Sequence, residues 1–418
     1  MSATQIIRHA RVVFTCAGAV PKCGPDQADA RPILDASIVA TDGTIVFVGA
    51  SDEADRLYPS GPGDTVVDAS GCTVVPGFVD PHTHVVFAGD RREELRRRLA
   101  GATYAEIAAG GGGILSTVRA TREANEDELA DATRARLDQM LACGTTTCEA
   151  KSGYGLQADT ELKMLRVIRR LNGEHPMDLV STFMGAHEIP VEHRANRRFY
   201  IDQLVRQMIP AAARDGLAEW CDVFCEVGVF APDESEEILE AGKRHGLKPR
   251  IHADEMAESG GSLVAAKVGA RSADHLLHVA PRGIHAMKHA GVVATLLPIA
   301  AFYLKLGRFA PARELIEGSV PVALATDLNP GGGFSPSMPF AMALACFGMR
   351  MTMEEALVAS TINAAYSIDR HDRVGSLEVG KQLDAVIVNG DAVDLLKVGV
   401  PAIRAVVKRG VVCVQTPA

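Results

Sequence analysis

The middle of the chain alternates short apolar runs rich in Val, Ile and Thr with longer segments that have a helical spacing of apolar positions. The short runs are typical of buried strands and the longer segments of amphipathic helices. The predicted strands are residues 74–79, 145–149, 179–184, 221–225, 248–252, 271–274, 292–297 and 320–326. The predicted helices are residues 127–142, 159–171, 197–214, 233–245, 261–267, 281–289 and 311–317. This alternation indicates an α/β fold with a parallel sheet under helices.

Eight predicted strands, most of them followed by a predicted helix, predict a (β/α)8 TIM barrel, and the central region has about the length that such a barrel needs. A doubly wound open sheet is the competing topology. Its usual dinucleotide-binding signature is missing, because no Gly-x-Gly-x-x-Gly sequence follows the first predicted strand. We therefore expect the barrel, over residues 73–369.

Both ends of the chain have a different pattern, in which short β segments are separated by turns. These segments are residues 6–14, 36–41, 44–48 and 65–68 near the N-terminus, and 385–388, 402–407 and 411–414 near the C-terminus. Asp42-Gly43 and Arg409-Gly410 are predicted to be hairpin turns. Because chain termini usually lie close together, residues 1–72 and 370–418 are predicted to form one small β-sandwich domain.

Composition narrows the choice of partners. The 43 basic and 52 acidic residues give a net charge of −9, which repels phosphate and argues against nucleic acid or an anionic membrane surface. The longest apolar stretch has 13 residues, at 292–304, whereas a membrane-spanning helix needs about 20. Nine cysteines without a Cys-x-x-Cys pair are typical of reduced thiols. We expect a cytoplasmic protein.

Polar residues suited to catalysis follow almost every predicted strand. The carboxyl ends of the strands carry the active site in barrels of this type. Here they bear Asp80, His82, His84, Glu149, Lys151, Tyr154, His187, Glu188, Glu226, His252, Asp254, Glu255, Asp274, His275, Asp327 and Asn329. The seventh predicted strand alone ends without an ionisable group. This pattern predicts one active site at that end of the barrel.

Two histidines at the end of the first predicted strand are candidate metal ligands. His82 and His84 are two residues apart, so on an extended strand their side chains share a face. Alone, such a pair is weak evidence, since solvated or core histidines also occur at this spacing. With His252 and Asp327 at later strand ends, three imidazoles and a carboxylate suit Zn²⁺ or a related metal, with a position left for water.

Glu255 and His275 are candidates for proton transfer. Glu255, three residues after His252, is placed to hold a substrate and to carry a proton to a leaving nitrogen. A first-turn glutamate favoured by the helix dipole is the alternative. His275 and Asp327 are candidates to orient and deprotonate the attacking water.

Weaker signals surround this set. Arg91 is a candidate to bind a carboxylate with two hydrogen bonds, whereas Arg92, Arg96, Arg97 and Arg98 are expected on a solvated face. The glycine-rich residues 110–113 lack a following Gly-Lys-Ser/Thr, so we expect a loop over the barrel mouth rather than a phosphate site.

Several of these stretches resemble a known family. Residues 76–84, Pro-Gly-Phe-Val-Asp-Pro-His-Thr-His, with His252, His275 and Asp327, resemble the amidohydrolase superfamily. Within it, residues 80–91, 111–118, 149–155, 182–187, 252–255 and 326–331 are similar to the imidazolonepropionase family. The sequences Lys-Ser-Gly-Tyr-Gly at 151–155 and Asp-Leu-Asn-Pro-Gly at 327–331 are the most specific.

The resemblance implies hydrolysis of 4-imidazolone-5-propanoate to N-formimidoyl-L-glutamate in histidine degradation, by attack of metal-activated water on the ring amide carbonyl. It implies one Zn²⁺ or Fe³⁺ per subunit, held by His82, His84, His252 and Asp327. Proton transfers are assigned to Glu255, His275 and Asp327. The residues implied around the substrate are Arg91, Tyr104, Tyr154, His187, Glu255, Asn329, Gly331 and Gly332. A small anionic substrate and a homodimer are the expected partners.

Two details refine that picture. Relatives with two metals usually bridge them through a lysine after strand four, and Glu226 at that place favours a single metal. The family often has Ser or Thr after Gly331, where this chain has Gly332. We expect weaker substrate binding from the missing hydroxyl, by about 1 kcal/mol.

Two rival functions remain at this point. A deaminase of an aminated purine, pyrimidine or related ring would use the same metal, glutamate and histidine, and would release ammonia. A non-catalytic scaffold is disfavoured, because the ligands serve no packing purpose and buried polar groups are costly.

Overall fold

The computed structural model describes residues 4–102, 106 and 112–416, and in these residues two β-sheets carry the fold. In chain order the strands are β1 (Thr4–Phe14), β2 (Pro32–Thr41), β3 (Thr44–Ala50), β4 (Thr65–Asp68), β5 (Cys72–Pro76), β6 (Phe78–Asp80), β7 (Thr145–Lys151), β8 (Asp178–Ala186), β9 (Trp220–Cys225), β10 (Lys248–Pro249), β11 (Ile251–Ala253), β12 (Ser272–His275), β13 (Val293–Leu296), β14 (Val322–Leu324), β15 (Ala385–Asn389), β16 (Ile403–Lys408) and β17 (Val411–Gln415).

The terminal sheet is built from both ends of the chain. Its order is β17–β16–β15–β5–β1–β2–β3, and β4 pairs with β1. The sheet folds on itself, because Thr44 at the start of β3 bridges Gln382 ahead of β15. Apolar side chains from both halves, such as Ile38 and Ile387, share one core. The predicted fold class, with a small β-sandwich made from both termini, is confirmed.

Two tight turns connect strands of this sheet as predicted. Asp42 and Gly43 have φ values of 48° and 77° between the paired residues Thr41 and Thr44. Arg409 and Gly410 have φ values of 47° and 78° between β16 and β17. Positive φ at both central residues defines the type I′ turn, whose twist matches that of the flanking strands.

The second sheet is a nearly closed barrel of parallel strands. Its order is β6–β7–β8–β9–β11–β12–β13–β14, and β10 pairs with β9 just ahead of β11. Past the ends of β6 and β14, the N–H of His84 donates to the carbonyl of Leu328 at 2.9 Å. The N–H of Asp327 donates to the carbonyl of His82 at 3.1 Å. The predicted (β/α)8 barrel is confirmed, and these two bonds join its first and last strands.

The first predicted barrel strand is wrong in one respect. Residues 74–79 do not form one strand, because β5 pairs with β15 in the terminal sheet and the barrel begins with β6. Gly77 makes this change of sheet, and a Cβ there would lie 2.4 Å from Thr146 Oγ1. β5 and β6 are both fully buried. The pattern of apolar residues therefore does not change where the chain passes from one sheet to the other. The other predicted barrel strands agree to within two residues at each end, except that residues 248–252 are divided between β10 and β11.

Helices surround the barrel, and the first helix of the chain packs on the terminal sheet instead. In chain order they are α1 (Ser51–Leu57), α2 (Arg92–Leu99), α3 (Ile114–Glu123), α4 (Glu126–Ala142), α5 (Ala158–Glu174), α6 (Arg197–Gln203), α7 (Ile209–Arg214), α8 (Pro232–Arg244), α9 (Gly261–Val268), α10 (Pro281–Ala290), α11 (Pro298–Tyr303), α12 (Ala312–Glu317), α13 (Met338–Met349), α14 (Met353–Ala359) and α15 (Ile362–Ser367). Short 3₁₀ turns occupy Gly24–Ala28, Val191–Asn196 and Ala392–Leu396.

The predicted helix at 197–214 is interrupted by a π turn at Leu204–Met208. Pro210, at the start of α7, has no N–H for the helical ladder and favours this local change. None of the helices in the described ranges is both long enough and apolar enough to cross a membrane.

A buried lysine ties the terminal sheet to the barrel. Lys408 in β16 donates through Nζ to Asp178 of β8 at 2.7 Å and to Asp384 at 2.6 Å. Its side chain is only 2% exposed. Arg409 also pairs with Asp178, so two cations and two carboxylates meet at the junction of the two sheets.

We expect Lys408→Met to lower the free energy of unfolding by about 3–5 kcal/mol, because the buried carboxylate of Asp384 loses its counter-charge. Urea unfolding of the purified variant measures this change. Lys397→Met is the control, since it removes an exposed partner of Asp394 and is expected to cost less than about 1 kcal/mol. Equal stability of Lys408→Met and the wild type would contradict the role of Lys408 in joining the two sheets.

Candidate metal centre and active site

Three histidines and an aspartate meet at the carboxyl ends of the barrel strands. His82 and His84 follow β6, His252 lies in β11, and Asp327 follows β14. The Nε2 atoms of His84 and His252 are 3.3 Å apart. Asp327 Oδ1 lies 3.7 Å from His82 Nε2 and 3.6 Å from His84 Nε2. The four residues predicted as metal ligands from the sequence therefore form one buried cluster.

The donor set of this cluster fits a metal ion. The nitrogens that the three histidines offer lie within 4.8 Å of one another. His82 Nε2 and His84 Nδ1 are buried and have no hydrogen-bond partner among the described residues. Burial lowers the pKa of His82 and of His84 well below the ordinary value. Neutral imidazoles facing a carboxylate are the ligands that Zn²⁺ and related metals bind.

Glu255 and His275 lie together beside the cluster. His275 Nδ1 is 3.6 Å from Glu255 Oε1. Burial, with the negative charge of Glu226, raises the pKa of Glu255 to about 8. Burial lowers the pKa of His275 well below its ordinary value. A protonated carboxyl next to a neutral imidazole provides an acid and a base near neutral pH.

A cavity of about 590 Å³ opens above these residues. The predicted site residues that line it are His84, Arg91, Tyr154, His187, His252, Glu255, His275, Asp327, Asn329, Gly331 and Gly332. His82 lies beneath them with no exposed surface. Tyr104 is outside the described residues. The predicted substrate and metal residues that the structure describes are thus gathered at one place.

Aromatic rings form one wall of the cavity. The rings of His84 and His187 are stacked with centroids 4.7 Å apart, and the Tyr154 ring is 5.3 Å from His187. Burial lowers the pKa of His187 to about 3, so this imidazole is neutral. A flat neutral wall next to a cluster of metal ligands suits a small planar ring.

Comparison with known proteins identifies the family. Residues 73–414 match the model of the amidohydrolase family. The imidazolonepropionase of Geobacillus thermodenitrificans is 51% identical over 386 residues, which cover 92% of this chain and 91% of the relative. That of Shouchella clausii is 48% identical over 420 residues, or 99% of this chain and 94% of the relative. The chain belongs to the imidazolonepropionase family of amidohydrolases.

More distant solved structures share the fold. Guanine deaminase of E. coli aligns with a TM-score of 0.73 at 17% identity, over 99% of this chain and all of that chain. An atrazine chlorohydrolase of Arthrobacter aurescens aligns with a TM-score of 0.75 at 17% identity, over 98% and 95% of the two chains. At this identity the likeness concerns the barrel and its attached sheet, not the reaction.

Arg91, an expected substrate residue of the imidazolonepropionase family, is held in place at the cavity wall. Its Nε donates to Glu94 Oε2 at 2.8 Å, and Glu94 Oε1 accepts the N–H of Gly113 at 2.8 Å. A Cβ at Gly331 would lie 2.2 Å from Arg91 Nη1. Glycine is therefore required at 331 so that the guanidinium can lie against the backbone.

Asn329 shapes the turn that follows Asp327. Its Oδ1 accepts the N–H groups of Gly331 and Gly332, both at 2.7 Å, and its Nδ2 donates to the Asp327 carbonyl at 2.7 Å. The N–H of Gly332 is thus engaged within the turn. A Cβ at Gly332 would lie 3.0 Å from Leu304 Cγ, a side chain that can move. The effect of this glycine on affinity stays a prediction.

One sequence expectation near the cavity is wrong. Arg98 is not on the solvated face, because its Nη1 donates to the carbonyls of Tyr303 and Gly331 at 3.2 and 3.3 Å and the residue is buried. Arg91, Glu94 and Arg98 are spaced at helical intervals, and that side of α2 faces the barrel mouth. The helical spacing of Arg98 from Arg91 and Glu94 could therefore have predicted its burial. Arg92 and Arg96 are exposed, as expected.

The sequence also gave no role to two buried carboxylates. Asp274 Oδ2 lies 2.6 Å from His82 Nδ1, and Asp222 Oδ1 lies 3.1 Å from His252 Nδ1. Asp222 lies inside the buried strand β9. A charged residue in an otherwise apolar strand needs a partner, and that was the available signal.

His252→Ala is expected to lose bound metal and turnover together, because one of the four predicted ligands is removed. We expect the metal affinity to fall by roughly 100-fold or more. Asp327→Ala should behave in the same way. Metal analysis after dialysis, combined with an assay, measures both effects. His285→Ala, on the exposed side of α10, is the control. Metal-free protein with full activity would refute the assignment.

Proposed function

We propose that the protein hydrolyses 4-imidazolone-5-propanoate to N-formimidoyl-L-glutamate, a ring-opening step of histidine degradation. The supporting observation is that one cavity joins the histidine–aspartate cluster to Arg91. It occurs in a chain that matches imidazolonepropionases over nearly its full length. A cation site and an arginine on the same cavity suit a ring amide with a carboxylate arm.

His82, His84, His252 and Asp327 would hold one Zn²⁺ or Fe³⁺ per subunit, since three neutral imidazoles and a carboxylate accept either ion. When bound, such an ion polarises the scissile carbonyl and lowers the pKa of a water molecule. The remaining steps belong to side chains of the protein.

Arg91 binds the propionate arm of the substrate through its guanidinium, whose direction is set by Glu94. Tyr154, His187 and Glu255 orient the ring. Asn329, Gly331 and Gly332 also line the cavity. Tyr104 is the remaining substrate residue that the family resemblance implies. With the carboxylate held at one end, the ring carbonyl is directed towards the metal ligands.

His275 and Asp327 take the proton of the attacking water, whose oxygen adds to the ring carbonyl carbon. The bond from this carbon to the neighbouring ring nitrogen then breaks, and Glu255 donates a proton to the nitrogen. The former carbonyl becomes the α-carboxylate of the product, so one water is consumed and no ammonia leaves. A pKa of about 8 for Glu255 supports its role as the acid.

The proposed partner is therefore a small anion, and neither nucleic acid nor a membrane is required. Pairing of the subunits into a homodimer stays a prediction. The rival deaminase function has support from fold likeness at 17% and 19% identity, which carries no argument about the reaction.

The direct test mixes the purified protein with freshly generated 4-imidazolone-5-propanoate. We expect rapid loss of the substrate's ultraviolet absorbance without release of ammonia. A parallel panel of aminated purines and pyrimidines is the control. Ammonia from that panel, with no loss of imidazolone absorbance, would refute the proposal and place the protein among the deaminases.

Gly331→Ala is expected to raise KM by roughly 10- to 100-fold with little change in kcat, because the added methyl group displaces the Arg91 guanidinium and a charged hydrogen bond to the substrate is lost. Steady-state kinetics measure the effect. Gly173→Ala in α5 is the matched control, since a Cβ there has nothing within 4 Å and the position is remote from the cavity lining. An unchanged KM in Gly331→Ala would contradict the role of Arg91.

Glu226→Gln is expected to move the descending limb of the pH profile to lower pH. If Glu255 donates a proton, activity falls as the pH rises through its pKa of about 8. Removing the negative charge of Glu226 favours the ionised form of Glu255 and lowers that pKa. The dependence of kcat/KM on pH measures the shift. Glu188→Gln, which removes another carboxylate of the cavity wall, is the control and should leave the descending limb of the pH profile unchanged. A descending limb that is unmoved or shifted to higher pH in Glu226→Gln would contradict the role of Glu255 as the acid.

A further inference from the structure

His252 is backed by a buried carboxylate and a buried ammonium. Its Nδ1 lies 3.1 Å from Asp222 Oδ1, and Asp222 Oδ2 accepts a hydrogen bond from Lys151 Nζ at 2.7 Å. The side chains of Lys151 and Asp222 have no exposed surface. The three groups form a continuous chain from cation to carboxylate to imidazole.

His82 is backed in the same way from the other side of the barrel. Its Nδ1 lies 2.6 Å from Asp274 Oδ2, which is 3.2 Å from Arg250 Nη2. Arg250 and Asp274 are also fully buried. Arg250 Nη2 donates in addition to the carbonyl of Pro81, the residue before His82, at 2.7 Å.

Lys151 also supports the backbone between two ligands. Its Nζ donates to Glu149 Oε1 at 2.8 Å, and Glu149 Oε2 accepts the N–H of Thr83 at 3.2 Å. Thr83 Oγ1 donates to the Glu149 carbonyl at 2.7 Å. The segment that carries His82 and His84 is therefore held by both buried cations.

We propose that Lys151 and Arg250 are positioning residues of the metal centre, each holding a carboxylate that orients one histidine ligand. An imidazole that donates its Nδ1–H to a carboxylate carries its lone pair on Nε2, the atom that faces the cluster. A carboxylate buried without a counter-charge costs several kcal/mol, so the cations keep the two aspartates in this place. His84 has no such support, because its Nδ1 has no partner among the described residues.

This inference rests on the proposed metal-dependent function, but its test measures metal binding rather than turnover. Lys151→Met keeps the length of the side chain and removes the charge. We expect its affinity for Zn²⁺, measured by competition with a chelator, to fall by about 10- to 100-fold. The visible absorption spectrum of the Co²⁺-loaded protein should change as well, because His252 is no longer held in one orientation.

Lys408→Met is the matched control. Lys408 is likewise buried between two carboxylates, Asp178 and Asp384, but it lies at the junction of the two sheets. It should lose stability and keep the wild-type Zn²⁺ affinity and Co²⁺ spectrum. Loss of affinity in both lysine variants alike would overturn the proposal, since general destabilisation would then explain the effect.

Asp274→Asn tests the series of contacts from Arg250 through Asp274 to His82. It is also the alternative variant if Lys151→Met does not fold. The change alters one atom of the side chain and removes the charge that holds His82, so a fall in Zn²⁺ affinity of about tenfold or more is expected. Wild-type affinity and an unchanged Co²⁺ spectrum in the folded variants would overturn the inference. If the wild-type protein itself bound no metal, the proposed function would fail instead, which separates the two outcomes.

Discussion

The barrel interior holds carboxylates, a lysine and an arginine with no exposed surface, and each of these ions needs a counter-charge because the desolvation of an isolated ion costs several kcal/mol. Lys151 lies between Glu149 and Asp222, and Arg250 lies against Asp274. Asp222 accepts the Lys151 ammonium on Oδ2 and meets His252 with Oδ1, whereas Oδ2 of Asp274 meets both Arg250 and His82. In the proposed metal centre, the orientations of His82 and His252 depend on this buried charge balance.

The same region completes the barrel. The backbone of His82 and His84 hydrogen-bonds to the backbone of residues 327 and 328, where the first and last strands meet. Asp80 accepts the N–H of Thr326 at 3.1 Å across this seam. Because these bonds join the two ends of the barrel sequence, closure of the barrel also places His82 and His84 next to Asp327.

At the mouth of the cavity, steric fit rather than charge balance determines which residues can be present. Gly331 has no side chain where the Arg91 guanidinium lies, and Asn329 holds the intervening turn with both polar atoms of its amide. The histidine–aspartate cluster and the Arg91 guanidinium line the same cavity, so a molecule bound there lies between the two. The proposed substrate, with an amide carbonyl at one end and a carboxylate at the other, has the complementary chemistry.

Much of this was readable from the sequence. The period of the apolar runs determined the strands and helices, and the polar residues at the strand ends identified His82, His84, His252 and Asp327, since local pattern and strand direction are properties of short segments. The sequence did not reveal the change of sheet at Gly77, the burial of Arg98, or the partners of Asp222 and Asp274. Those depend on which residues, distant in the chain, approach within a few ångströms, and only the tertiary structure decides that distance.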